Sequence, residues 1–313
     1  LRKIGVEMKN PHENWYAEYD GVKMTRARNV VLDHLSCSWS DDELVSLCET
    51  HHITVQWCSL EETAVGSHQK YGGCHNFGLF SAYNEEGDFI SVHHNLFANN
   101  SRRNPAIRDG MADVRNNVVY NFRSGVSHDN NGHKDFNIIG NVFLSGPCNK
   151  AATPATARWA GKTGKPLEIT PKTAAYFLRD NLMDGQPVEF VLEQPRQEPF
   201  PMPPVTTLAA DKVLAAVLAQ AGAFPRDAVT RRTIEEVRTG AGAWGRRDPK
   251  GGLMEGLTPG AAPKDTDRDG MPDDWEKKNG LDPAKDDSAK VMPGGYTAIE
   301  VYLNEVAESL AAQ

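Results

Sequence analysis

The segment Arg103-Asn-Pro-Ala-Ile-Arg108 sets two guanidinium groups astride a proline, shortly after the run Ile90-Ser-Val-His-His-Asn-Leu-Phe. Proline fixes its own φ and biases the residue before it toward extended backbone, so the two cations should project at a reproducible separation. Paired planar forks suit carboxylate recognition, which points to an anionic substrate. Upstream lie acids of the kind that ligate hard cations: Asp20, thirteen residues before Asp33, and the turn Asp41-Asp42-Glu43 after Trp39. Downstream, Asp265-Thr-Asp-Arg-Asp-Gly270 and Glu276 fit the pattern D-x-D-x-D-G-x₅-E without a mismatch. In such a loop Asp265, Asp267 and Asp269 supply the first carboxylates and Gly270 permits the sharp turn. Met271 offers its carbonyl, Asp273 acts through water, and Glu276 closes an EF-hand-like Ca²⁺ site bidentately.

Six segments could carry this chemistry on one scaffold. They centre on Leu32, Val55, Val92, Val114, Ile138 and Leu178, and within each an aliphatic residue alternates with a polar one. The centres are 23, 37, 22, 24 and 40 residues apart, a coil near 23 with two insertions of about fifteen. Three residues beyond the centres stand Leu35, Cys58, Asn95, Asn117, Asn141 and Asn181, and the last four would stack as an asparagine ladder. A two-sheet sandwich would space its strands by about 8 to 12 residues. The pattern therefore predicts an all-β, right-handed parallel β-helix over residues 1–191. His34, His93 and His94 read as strand residues that orient and pack. Strand neighbours point to opposite faces, so these histidines are not expected to share a metal.

The carboxy-terminal third reads differently. Prolines crowd residues 192–206, as in an extended linker. A helical pair follows over 207–245, the first helix from Leu208 to Gln220 and the second from Pro225 to Gly240. Residues 263–313 form the calcium-binding module, flanked by a helix at Trp275 and another from Gly295. That module holds 12 acidic against 6 basic residues, and so carries most of the chain's net charge of −8. With no basic stripe, nucleic acid is disfavoured as a partner. No apolar run is long enough to span a membrane. The five cysteines show neither paired spacing nor an even count, so neither a disulfide framework nor a zinc cluster is signalled. The chain begins at Leu1 with no initiator Met or signal peptide, and further sequence is expected upstream.

Over residues 1–191 the chain resembles the pectate lyases of polysaccharide lyase family 1. Asn29-Val-Val-Leu-Asp-His34 is similar to that family's v-W-i-D-H signature, with Val31 in place of the Trp, and Arg103 to Arg108 matches its R-x-P-x-x-R. The resemblance implies Ca²⁺-dependent β-elimination on 4-linked galacturonan, an acidic plant or algal cell-wall polysaccharide. It places Arg103 as the base, Arg108 on the substrate carboxylate, and Asp20 and Asp42 on calcium. A base role for Arg103 rests on the resemblance, because guanidinium hardly deprotonates in proteins. The family's D-x-x-x-D has Ser46 where its second acid stands, so Glu43 or Asp41 compensates, or calcium binds weakly until substrate arrives. Lys70 is the nearest match to the family's substrate lysine, and His68 in the same loop could move a proton near neutral pH. The carboxy-terminal loop resembles those of dockerin and thrombospondin type 3 modules. Such sites suit millimolar calcium, which implies a secreted protein, extracellular or periplasmic, acting as a monomer. The alternatives are a non-catalytic, calcium-dependent polysaccharide-binding or adhesive solenoid, and a β-helix glycoside hydrolase. The hydrolase would need two carboxylates at a defined separation.

Overall fold

The computed structural model describes residues 1–2, 19–63, 77–82, 89–108, 110–128, 135–149, 164–169, 175–190 and 196–311. The chain winds in coils of three short strands. The first coil is β1 (Val22–Thr25), β2 (Arg28–Asp33) and β3 (Ser36–Ser38), and the second is β4 (Glu43–Cys48), β5 (His51–Gln56) and β6 (Ser59–Glu61). The third holds β7 (Phe77–Ala82), β8 (Phe89–His93) and β9 (Leu96–Ala98), and the fourth β10 (Ala106–Ile107), β11 (Met111–Arg115) and β12 (Val118–Tyr120). The fifth holds β13 (Ser124–His128), β14 (Asp135–Ile139) and β15 (Val142–Leu144), and the sixth β16 (Lys165–Ile169), β17 (Ala175–Arg179) and β18 (Leu182–Met183). A last strand, β19 (Gln186–Pro187), turns back antiparallel on β18. Every third strand pairs in parallel, which makes three sheets led by β1, β2 and β3 and closes them into a parallel β-helix.

The six aliphatic centres of the sequence repeat lie in the second sheet and stack in one row. Leu32 pairs with Val55, Val55 with Val92, Val92 with Val114, Val114 with Ile138 and Ile138 with Leu178. All but the partly buried Leu178 are buried in one apolar core that runs along the solenoid axis. Truncating a residue such as Ile138 to Ala would cost about 2–5 kcal/mol in lost transfer energy and a residual cavity. After each of these strands one residue takes a left-handed conformation, among them His34, Trp57, His94, Asn116 and Asp180 at φ between 49° and 57°. That bend turns the next side chain inward. The amides of Asn95, Asn117, Asn141 and Asn181 consequently bond each other at 3.0, 3.0 and 2.9 Å, and the Asn95 carbonyl accepts from the Cys58 backbone at 2.8 Å. The ladder satisfies backbone N–H groups that would otherwise be orphaned inside the turn.

The following chain covers the outer face of the third sheet and part of that of the second. Leu96, Ala98, Val118, Tyr120 and Val142 point outward from the third sheet and are packed by α1 (Ala210–Gln220) and α2 (Ala228–Thr239). Helix α2 starts at the Asp227 cap, whose carboxylate accepts from Thr230 N, and not at Pro225, because a capping carboxylate satisfies an orphan N–H that proline merely lacks. Its end at Gly240, φ 71°, follows the expectation. The proline-rich stretch is fixed to the second sheet over its described part. The amide of Asn137 exchanges two hydrogen bonds with the Phe200 backbone, 2.9 and 3.0 Å, and Asn116 does the same with Leu208, 2.8 and 3.0 Å. Residues Leu1–Glu255 form one compact unit, which therefore includes the helical pair, and Gly256–Gln313 form a second.

In the second unit, α3 (Asp273–Lys278) and α4 (Ala298–Ala311) enclose a small core of Met271, Leu281 and Ala298 with Trp275, Met292, Ile299 and Tyr302 packed on it. Helix α4 begins at Ala298, three residues later than the sequence suggested. Glu300 reaches back to accept from both Thr297 N and Thr297 Oγ1 at 2.7 Å, which fixes the start there. No helix among the described residues is long and apolar enough to cross a membrane.

Candidate active site and metal sites

Where the chain leaves the third sheet and enters the first, three carboxylates meet. Asp20 precedes β1, while Asp42 and Glu43 open β4 one coil later, and one oxygen from each lies within 4.8 Å of the other two. Neighbouring coils bring them together: Asp20 Oδ1 accepts from Glu43 N at 3.0 Å, and the Asp41 and Asp42 amides donate to Tyr19 O at 3.0 and 3.1 Å. All three acids are buried. Asp41 is buried as well but is outside the cluster of three. Ser46 lies further along β4 against Cys48 Sγ, so Glu43 is the residue that supplies a third carboxylate here.

Arg103 comes to this cluster from two coils on. It pairs directly with Glu43 and lies 4.4 Å over the rings of both Phe77 and Phe80. The turn that carries it is in left-handed conformation at Arg103, φ 58°, with a cis bond between Asn104 and Pro105. Gly78 makes room, since a Cβ there would fall 2.6 Å from Arg103 O and 2.8 Å from Asn104 Oδ1. Asn104 is fully buried and its amide bonds the carbonyls of Asn100 and Ser124, so the turn is pinned from within. Strand β10 is only two residues long, and Arg108 leaves it half-buried, with its N–H bonded to Ser81 O at 2.8 Å. Lys23, which sequence reasoning passed over, places its ammonium 3.1 Å from Asp20 while remaining 56% exposed. The signal available for it was its place three residues after Asp20 on the polar face of β1. Lys70 and His68 lie outside the described residues.

The histidines separate from the acids, and no histidine joins a metal-competent cluster among the described residues. His93 and His94 do not point to opposite faces. The left-handed turn at His94 brings Nδ1 of the two rings to 2.9 Å, and the His94 ring stacks on Trp57 at 4.4 Å. Burial holds both rings at a pKa of about 4, well below their ordinary value.

The second acidic cluster is in the carboxy-terminal unit. Asp265, Asp267 and Asp269 again offer oxygens within 4.8 Å of one another, around a turn with Gly270 at φ 95°. Glu276 is fully buried, and neither of its carboxylate oxygens has a hydrogen-bond partner; Asp267 Oδ2 is likewise unpartnered. Burial, then the charges of Asp267, Asp269, Asp273 and Asp265, push the Glu276 carboxyl up to about 7. Asp273 faces the other way, taken up by Lys264 at 2.7 Å and by Thr266 N at 2.7 Å. Met271 anchors the loop in the core and donates its N–H to Asp269 at 2.9 Å.

No family model matches the chain. It is 30% identical over 312 residues to the probable pectate lyase C of Neosartorya fischeri, covering 93% of this chain and 68% of that one. To the protein of the same name from Aspergillus fumigatus it is 31% identical over 314 residues, with the same shares covered. A solved pectate lyase, studied for its substrate specificity and anti β-elimination mechanism, superposes on 67% of this chain at 15% identity and a TM-score of 0.49, and this chain spans about 55% of its length. Membership rests on the sequence relatives: the chain belongs to the pectate lyase family and is an enzyme of that family, a carbon–oxygen lyase acting on polysaccharide.

Proposed function

We propose that this enzyme cleaves 4-linked galacturonan by Ca²⁺-dependent β-elimination at the junction of the third and first sheets. The observation that carries the reading is the meeting of Asp20, Asp42 and Glu43 with Arg103. The donor set there is all carboxylate oxygen, as a hard cation requires, and it fits calcium. Bound calcium would neutralise the uronate carboxylate and so stabilise the negative charge that develops when the neighbouring carbon loses its proton. Arg103, held at the edge of the cluster by Glu43 and by two aromatic faces, would take that proton as its neutral guanidine form; the C–H electrons form the new double bond as the bond to the 4-linked sugar breaks, and the leaving oxygen takes a proton from water. Arg108 binds a substrate carboxylate, and Lys70 or His68 contributes from the stretch of sequence between β6 and β7.

A second Ca²⁺ in the carboxy-terminal loop is the complementary part of the proposal. Asp265, Asp267, Asp269 and Glu276 would hold it with the Met271 carbonyl, while Asp273 shapes the loop through Lys264 and Thr266. Glu276 supports this reading, because a buried carboxylate with two unpartnered oxygens fits a cation that it would ligate bidentately. Such loops bind at the calcium levels found outside cells, consistent with a secreted, monomeric enzyme working on acidic cell-wall polysaccharide.

The test is incubation with polygalacturonate while following the ultraviolet absorbance of the unsaturated product, with and without chelator. A rise that chelator abolishes is expected. New reducing ends without absorbance would mean hydrolysis, and binding without cleavage would mean an adhesive solenoid.

A further inference from the structure

The acidic turn and the arginine turn start from residues that neither site motif includes. Trp39 precedes Asp42 by three residues and Asn99 precedes Arg103 by four, and both leave the third sheet in left-handed conformation, φ 63° and 59°. Glu62, φ 53°, lies in the coil between them and joins them through backbone: Trp39 N donates to Glu62 O at 3.1 Å, and Glu62 N to Ala98 O at 3.0 Å. Side chains extend this stack. Trp39 is fully buried, and its indole N–H donates to Glu62 Oε2 at 3.1 Å. Glu62 is itself 0% exposed and receives Arg232 of α2 at 2.7 and 2.8 Å, together with Arg247. Arg247 in turn bonds Glu236 Oε2 at 2.8 Å, and that same oxygen accepts the Asn99 amide at 3.1 Å. A continuous polar chain therefore runs Trp39, Glu62, Arg247, Glu236, Asn99. The backbone passing beside it must be glycine at 242, φ 107°, because a Cβ there would sit 2.8 Å from both Asn99 Oδ1 and Glu236 Oε2.

Two buried carboxylates and two half-buried guanidinium groups are a poor way to gain stability, since desolvation offsets much of the Coulombic attraction. What such a network supplies is register, because Glu62 and Glu236 each accept from more than one neighbour and only one arrangement makes those bonds together. Here the register it fixes is that of the two turns carrying the proposed metal ligands and the proposed base. We propose that Glu62, Arg232, Glu236 and Arg247 are positioning residues for the elimination, so that helix α2 and the segment after it set the distance between the acidic turn and Arg103. The inference rests on the site assignment made above. Three of the four, Arg232, Glu236 and Arg247, stand more than a hundred positions beyond Arg103. Displacement of reacting groups by about 1 Å can cost on the order of a hundredfold in rate, and the effect belongs in kcat where substrate contacts are untouched.

The experiment uses the full chain and three variants: Glu236→Gln, which keeps an acceptor for Asn99 and removes one charge, Arg247→Met, and Arg247→Lys. Circular dichroism establishes that each is folded at the assay temperature. For each, kcat and KM on polygalacturonate are measured at saturating calcium, along with the calcium concentration that gives half the maximal rate. Direct calcium binding is followed by calorimetry with Glu276→Ala as the common background. Arg247→Met should lower kcat by about thirtyfold with KM changed less than about threefold, weaken calcium at the first site by roughly tenfold, and be partly rescued by Arg247→Lys. Glu236→Gln should do the same to a smaller degree. Variants that melt earlier yet keep kcat and calcium affinity within about twofold of the parent would overturn the inference and leave the network a structural one. A parent that shows no calcium-dependent elimination would overturn the site assignment, and this inference with it.

Discussion

Two regions of this molecule each gather three carboxylates within 4.8 Å, yet they neutralise them by opposite means. At the edge of the first sheet the acids are met by protein cations: Arg103 pairs with Glu43 and Lys23 with Asp20, which also accepts from Glu43 N. In the carboxy-terminal loop no cation among the described residues pairs with Asp265, Asp267 or Asp269. Lys264 is directed to Asp273, outside the three converging acids, and Glu276 is buried with both oxygens unpartnered. The first cluster is built on a solenoid core that folds for its own reasons. The second is flanked by two helices around a core of three buried apolar residues among the described ones. Charge that the protein already balances is available for chemistry, whereas charge that it leaves unbalanced ties folding to an ion.

The largest expected effect is at the first region. Arg103→Lys keeps a cation for Glu43 and for the two aromatic faces but loses the planar fork, and elimination should fall by about a thousandfold, the scale of a lost proton-transfer group. Asp42→Ala should suppress turnover comparably while the melting of the solenoid is little changed, because the acid contributes to the site and not to the apolar core. Turnover by Arg103→Lys within about tenfold of the parent would remove Arg103 from the reaction.

The second region should respond in stability. Glu276→Ala, or chelator on the parent, is expected to melt residues Gly256–Gln313 separately and leave the solenoid transition in place. Returning calcium to a hundred times its dissociation constant should restore about 2.7 kcal/mol to that unit in the parent, and far less in the variant. Scanning calorimetry with and without chelator reads both. One cooperative transition, shifted equally by calcium in parent and variant, would erase the distinction between the regions.

A smaller effect tests the scaffold. Asn141→Ala removes the middle of the ladder and leaves Asn117 and the Val114 carbonyl short of partners, which should cost about 1–3 kcal/mol in the solenoid transition alone. A shift confined to the calcium-dependent transition would mean that the ladder does not stabilise the coils.

The ladder was legible in the sequence because it repeats: asparagine recurs three residues beyond an aliphatic centre, and strand alternation fixes which side chains face inward. The acids and arginines were legible for their type and spacing. The pairing of Arg103 with Glu43 was not, since it depends on the register of Glu43 beside Phe77 and of Phe77 beside Arg102, across segments of unequal length. The proline-rich stretch read as a linker because its partner, Asn137, stands more than sixty residues earlier. The network of Glu62 and Arg247 carried no local signal at all. His93 and His94 were misplaced by a strand rule that fails at the first left-handed residue.

Those two histidines supply the last perturbation, and it acts on the solenoid where chelator acts on the other unit. Burial lowers both rings from their ordinary value of 6.5 to about 4, with the His93 charge adding to the effect on His94. An unfolded chain takes up these protons near 6.5, but the folded one resists until about 4, so their contribution to stability is fully present above 6.5 and is lost as pH falls through that window. Carboxylates titrate mostly below about 5, which leaves pH 6.5 to 5 as a range in which the histidines dominate. His94→Asn tests this with a residue that tolerates the left-handed turn, φ 57°, and that the chain itself uses at the equivalent place, Asn116. The variant gives up the stack on Trp57 and should melt slightly earlier at pH 7.5. Between pH 6.5 and 5, however, its solenoid transition, followed in chelator, should fall by roughly half as much as the parent's, because one of two resisting rings is gone. Equal slopes would mean that the pair is protonated in the folded solenoid and that its burial carries no acid sensitivity.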